Sequence, residues 1–341
     1  QTFSGWPTNF LECLPRSRSR YADVGERSIV WATTGAVGRE CGLASAAMTS
    51  SPNLGLASSD PLALANQTLQ AWTDFYSAVI DVDLDAKTRV KRERARALIA
   101  KVGDWPESRQ LPEILADARN GDLTLIDQDA IDARVIAAHA HDDRADLLAA
   151  VERARDSLAT WVLEHNGGEL AEVGKTAVGS PLGPLPVLTY VHAAAFQLAI
   201  SGRDMAAAGA QVPDSLLLAG LRALVDTTGA LAARMGIDTV FAVQTPLGSV
   251  VTVAQDGGWT VDEVESGEID DGLPGLEGDA GILLDVAAGR RNPVTTLRGS
   301  GIKINQMQRL MKLAPIAKEN PGLPGGPILR KSAPLIAAFG R

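Results

Sequence analysis

The strongest constraint in this sequence is a change of period at Pro213. From Pro61 to about Ala207 apolar residues recur at helical spacing, with few β-branched runs. After Pro213 one more helical stretch gives way to three short β-like runs, Thr239 to Gln244, Ser249 to Ala254 and Trp259 to Val264. Leu247-Gly248 and Asp256-Gly257-Gly258 separate the runs at hairpin distance, which predicts antiparallel strands. The expected fold class is α+β: an N-terminal four-helix bundle over 57–208, then a small α+β domain with an antiparallel sheet over 209–318.

Within the bundle, Leu64, Trp72, Phe75 and Val79 share one face of a first helix, and Val90 to Val102 reads as a basic second one. Gly103-Asp104-Trp105-Pro106 interrupts the chain before a short helix over Leu111 to Ala118. A single long helix is expected over 127–165, stopped by Gly167-Gly168, and a last bundle helix from Val187 to Met205 after a Gly- and Pro-rich loop. Pro213-Asp214 opens a helix that ends near Arg234, with Gly236 as its stop. Two further helices, near Ala280 to Ala288 and Asn305 to Ala314, flank a short strand at Gly301 to Ile304.

A length of 341 residues suits two domains, and no apolar run approaches the ~20 residues of a membrane helix. With 32 basic against 41 acidic residues the net charge is −9, so a phosphate backbone finds no general attraction here. Nucleic acid and membrane insertion are therefore not expected as partners. Both cysteines, Cys13 and Cys41, precede Met48, which removes disulfides, thiolate catalysis and cysteine-ligated zinc from everything after it. Residues 1–47 show neither period nor a continuous apolar leader core. They are expected to belong to a disordered or artefactual arm over 1–56, with translation starting at Met48. Residues 319–341 read as a Pro- and Gly-rich tail.

Four histidines are available for chemistry. His139 and His141, two apart in the expected long helix, point to different faces, whereas a helical metal pair needs a spacing of three or four; they read as solvated. His165 suits a helix C-terminus. His192, beside Tyr190 and Phe196, reads as a hydrogen-bonded, partly buried residue and, with Asp204, as a possible polar site residue. Common nucleotide, zinc-protease and nucleophile-elbow strings are absent, and neither Asp142-Asp143 nor Asp270-Asp271 continues into a calcium loop.

The order of parts, together with SPLGPLPVLTYVHAAAFQLAISGRDM at 180–205, FAVQTPLGSVVTV at 241–253 and GDAGILLDVAAGRRNP at 278–293, resembles the mycothiol-dependent maleylpyruvate isomerase family over residues 57 to about 316. The resemblance implies a DinB-like metal-binding bundle followed by a domain similar to sterol carrier protein type two. In that family a Glu-x-x-x-His pair on the last bundle helix, followed by an Asp-hydrophobe pair, joins a histidine from an earlier helix around a divalent metal. The matching positions here are Gln197, Ser201 and Asp204-Met205, with Asp117 aligned to the earlier histidine. An amide and a hydroxyl replace a carboxylate and an imidazole, so these are read as degenerate metal-site positions, with no catalytic residue, no metal and no cofactor expected.

The lipid-carrier resemblance asks for shape and apolar lining rather than particular reactive groups. Alternation places Phe241 with Val243, and Val251 with Val253 on the next strand, as lining of a ligand cavity. Ile282, Leu283, Val286, Leu310 and Met311 are the helical residues expected to close over it. The resulting expectation is a cytoplasmic, divergent member of the family that has lost its metal ligands and binds an apolar small molecule. Two alternatives remain open: an active isomerase or transferase using mycothiol and a divalent metal, and a structural or regulatory homodimer.

Overall fold

The computed structural model describes residues 52–165, 167–264, 269, 272–299 and 301–319. Expectations for the arm before residue 52, for Asp270-Asp271 and for the tail beyond 319 lie outside the described residues. The helical part opens with the short α1 (Leu56–Ser59) and with α2 (Pro61–Val79). The Asp60 carboxylate accepts the Ala63 amide at 2.9 Å, and Pro61 takes the first helical position, where its missing N–H costs nothing. Then come α3 (Ala95–Val102) and α4 (Leu111–Asn120); α4 is opened by a capping box of Gln110 with Glu113 and stopped by Gly121 at φ 69°. The basic helix is thus shorter than expected, because residues 86–94 fold as a loop closed by the Ala95 amide on the Ala86 carbonyl.

The single helix expected over 127–165 is two, α5 (Gln128–Ala138) and α6 (Arg144–Glu164). Asp143 ends the continuity, since its side chain accepts the Asp146 amide at 3.0 Å and is worth more as an N-cap than inside a helix. Gly167-Gly168, expected as a stop, starts α7 (Gly167–Lys175). The Gly- and Pro-rich loop is bracketed by the two-residue strands β1 (Ala177–Val178) and β2 (Leu185–Pro186), which lead into α8 (Val187–Asp204).

In the C-terminal part, α9 (Asp214–Arg234) ends before Gly236 at φ 64°, and β3 (Thr239–Thr245), β4 (Gly248–Gln255) and β5 (Gly258–Val264) pair antiparallel as expected, but the two-residue turns are Pro246-Leu247 and Asp256-Gly257, because Gly248 pairs with Thr245 and Gly258 with Gln255 as the first residues of their strands. Two elements are additional to those expected: β6 (Gly275–Gly278), which pairs parallel to β3, and α11 (Pro293–Arg298), which follows α10 (Ala280–Ala287) and opens on Asn292 as N-cap with Pro293 at its first position. β7 (Ile302–Asn305) completes a sheet of order β5-β4-β3-β6-β7. The helix expected over 305–314 is instead α12 (Met307–Leu310), a 3₁₀ turn over Met311–Leu313 and α13 (Ala314–Glu319). The fold is α+β.

Helix α9 is the shared layer. It packs on α8 and α2 on one side and on β4 and β5 on the other. By length and composition it could cross a bilayer, yet Leu216, Leu221 and Leu231 are each at most 1% exposed, and such burial stabilises by about 1.5–3 kcal/mol per side chain. Residues 53–56, assigned above to the arm, are instead tied down. The Gly55 amide donates to the Trp259 carbonyl and the Trp259 amide to the Asn53 carbonyl, each at 2.8 Å, so this segment runs along the outer edge of β5 and satisfies backbone groups that the edge strand would otherwise expose.

Candidate functional site

Helix α8 carries most of the polar side chains that the sequence singles out. Its Gln197 is exposed and donates only a long hydrogen bond, 3.4 Å, to the buried Ser201 hydroxyl one turn on. Asp117, on α4, accepts from Arg109 at 2.6 Å; the same guanidinium donates to the Gly179 carbonyl at 2.7 Å and lies over the Tyr190 ring. Asp117 therefore fixes Arg109, while Gln197 pairs with Ser201. One carboxylate, one amide and one hydroxyl, the carboxylate already holding a guanidinium, do not make a donor set that fits a zinc-like ion. Among the described residues no group of three His, Cys, Asp or Glu side chains is arranged to hold a metal.

His192 is 1% exposed. The only O–H of Thr68 donates to the Leu64 carbonyl at 2.9 Å, so the Thr68 oxygen must accept from His192 Nδ1, 3.0 Å away. That fixes the tautomer and leaves Nε2 as a bare acceptor with no partner among the described residues. Burial first, and the Arg222 charge second, push the His192 pKa down to about 3, so the ring is neutral. Asp226, a turn beyond Arg222 on α9, is fully buried. Its Oδ1 accepts from Trp259 Nε1 at 2.8 Å and from the Leu56 amide at 3.1 Å. Burial raises its pKa to about 6 against the pull of these donors and of the nearby Thr189 hydroxyl. Neither Asp226 Oδ2 nor Thr189 Oγ1 has a well-formed hydrogen bond among the described residues.

Asp204, at the end of α8, belongs to a knot of charges rather than to a metal site. Arg290 reaches it through Nε at 2.8 Å and Nη2 at 2.8 Å, and Arg89 approaches to 3.8 Å. Asp285 on α10 takes both ends of Arg203 at 3.0 and 2.9 Å, Arg89 at 2.9 Å and Arg291 at 3.2 Å. Burial acts to raise the Asp285 pKa, but the hydrogen bonds from Arg203 and Arg89 outweigh it and hold the carboxyl below its ordinary value.

The pleat separates the expected cavity residues. Phe241 pairs with Thr252 and Val243 with Val250; this face meets α9, and both Phe241 and Val243 are buried in the main core. Val240 pairs with Val253 and Ala242 with Val251, on the opposite face, where Val240, Val251 and Val253 are only half-buried. Leu283 is buried, Ile282 and Val286 pack at the core margin, and Leu310 and Met311 lie on α12 and the turn after it. On the second face Val240, Val253 and Pro274 are the apolar lining of an open cavity of about 330 Å³, whose charged lining is two cations, Arg309 and Lys312, against one carboxylate, Asp238. Of the nine expected lining residues only Val253 borders it. Arg309 and Lys312 escape sequence reasoning because nothing local ties a C-terminal helix to a strand some sixty residues earlier.

No family model matches this chain, and no curated protein matches it. Two solved structures are similar to it, the crystal structure of the mycothiol-dependent maleylpyruvate isomerase and that of a mutant of the same protein. Identity is 16% in both, over 72% of this chain and 91% of the other, with TM-scores of 0.42 and 0.43 respectively.

Proposed function

We propose that this chain is a cytoplasmic, metal-free binding protein for an apolar small molecule that carries an acidic group. The observation behind this reading is the pairing of Val240 with Val253 on a half-covered sheet face beside two cations, Arg309 and Lys312, in one cavity. Valine side chains left partly in water gain when an apolar chain covers them, by roughly 25 cal/mol per Å² removed from solvent. A guanidinium or ammonium in the lining pairs with a carboxylate that stays near water. Packed valine and phenylalanine on the other face leave no comparable space, which supports this side of the sheet as the binding face. The choice of binding over metal-assisted chemistry is supported by the donor set at Asp117, Gln197 and Ser201.

Decanoate is a suitable probe. It is expected to bind saturably and to stabilise the protein, by about 2.7 kcal/mol at a hundredfold excess over its dissociation constant, with decanol binding more weakly. Val253→Asp and the pair Arg309→Ala with Lys312→Ala should each weaken binding. Unchanged affinity in both variants, or no binding at all, overturns the reading. Protein purified without chelator should carry well under one equivalent of divalent metal. A full equivalent lost in Asp117→Ala would restore the metal-dependent alternative.

A further inference from the structure

A second open cavity, about 420 Å³, lies beside α10 and α11, and unlike the first, which Asp238 borders, its only charged lining residue among those described is a cation, Arg291. Arg291, Asn292, Thr295, Thr296 and Ile282 line it, and two glycines, Gly299 and Gly301, keep its floor low. A Cβ on Gly301 would stand 3.4 Å from Thr296 Cγ2 and 3.7 Å from Ile282 Cδ1, inside the space the cavity now leaves.

The knot behind this cavity holds four guanidinium groups, Arg89, Arg203, Arg290 and Arg291, against the carboxylates of Asp204 and Asp285. Asp279 also acts on Arg203. Among the described residues four guanidinium groups thus stand against three carboxylates, and none of the described residues lining the cavity is acidic. Arg291 has the most exposed side chain of the four, at 50%. It meets Asp285 through Nε at 3.2 Å, a carboxylate that three other contacts already satisfy. Its planar fork is the natural partner of a second, incoming carboxylate.

We propose that this cavity is a binding site for a compact organic carboxylate, held by Arg291, with Ile282 against its carbon body; the Thr295 and Thr296 hydroxyls, which donate to the Asn292 carbonyl at 3.0 and 2.9 Å, shape the wall and are not donors to the ligand. The site is separate from the Val240–Val253 face and does not depend on the function proposed for it.

Calorimetric titration with succinate, at ionic strength held constant with sodium chloride, tests the assignment. Saturable binding is expected, weakened at least about tenfold by Arg291→Ala, a loss of roughly 1.4 kcal/mol. Gly301→Leu fills the cavity without touching the charge knot, so it should block binding even if Arg291→Ala proves poorly folded. Arg309→Ala, on the other face, should leave succinate affinity unchanged. Binding that survives both Arg291→Ala and Gly301→Leu overturns the proposal, as does equal stabilisation by chloride alone. Inorganic phosphate binding more tightly than succinate overturns the carboxylate assignment.

Discussion

The indole of Trp259 on β5 donates to Asp226 Oδ1 on α9 at 2.8 Å, with the two residues 3% and 0% exposed. The carboxyl also holds the Leu56 amide, so one buried side chain joins a helix, a sheet edge and the chain's approach to its first helix.

This carboxyl and the His192 imidazole should make stability depend on pH in opposite senses. Asp226 is raised from 3.8 to about 6, so the folded state holds the proton longer; its contribution is present below pH 3.8 and lost as pH rises through about 6, in total about 3 kcal/mol. His192 is lowered from 6.5 to about 3, so its contribution is present above pH 6.5 and lost as pH falls towards 3. Urea unfolding between pH 4 and 6 should show part of each trend cancelled by the other. Asp226→Asn, whose amide oxygen can still accept from Trp259, should leave a steeper loss towards acid, whereas His192→Gln should leave stability falling as pH rises. Parallel curves for the three proteins would show that neither group titrates as described.

Gly55 sits at φ 62°, and a Cβ there would overlap both Trp259 Nε1 and Asp226 Oδ1. Gly55→Ala should therefore cost several times more than Gly257→Ala, where φ is 75° but nothing lies within 4 Å and the backbone penalty of about 1–2 kcal/mol acts alone. Thermal unfolding of the two variants, with limited proteolysis around residues 52–59, measures the difference.

Asp285→Ala should destabilise by about 3–5 kcal/mol, because it strips a buried carboxylate from Arg203, Arg89 and Arg291 at once. Arg290→Ala should cost less, since Arg290 is about one-third exposed and Arg89 remains near Asp204. Equal losses in urea would mean that the two carboxylates act as a single unit.

Phe241→Ala and Val253→Ala discriminate the two faces of the sheet. Phe241 is 4% exposed in the main core, so its truncation should cost about 3–5 kcal/mol and leave decanoate affinity nearly unchanged. Val253→Ala should cost under about 1.5 kcal/mol and weaken decanoate binding. The opposite pattern in paired denaturation and titration experiments would return the cavity to the α9 side.

What could be read from the sequence is what local chemistry sets. Pro213 and Gly236 bracket α9, and the β3–β4 hairpin is set by a two-residue turn that lies at Pro246-Leu247, one position before the expected Leu247-Gly248, because a ring-locked φ, a positive φ and a two-residue turn need no distant partner. β6 is a strand only because β3 offers its edge and Gly275, lacking a Cβ, lets the Ala242 carbonyl approach. His139 is neither helical nor freely solvated: it ends α5, stacks on Trp105 at 3.6 Å and lies between Asp142 and Glu107, a setting assembled from two connections, the α3–α4 loop and the α5–α6 turn. His165 caps α6, as its position suggests, through Nδ1 and the Trp161 carbonyl. Asp226 in ALVDTTGALA and Asp285 in GILLDVAAG do carry a signal, a lone carboxylate in an apolar helical run, which marks a group that must find donors inside the protein. Its partners are an indole in one case and three guanidinium groups in the other, and of these only Arg291, six residues after Asp285, is local.

Helix α9 closes the bundle with one side and floors the sheet with the other, so the junction at 208–213 divides the chain without dividing its cooperativity. A cut there leaves α8 with an open apolar groove on one fragment and α9 with a bare flank on the other. The α8–α9 contact is thus the seam at which the helical part and the sheet part share one apolar surface, and each flank needs the other to be covered.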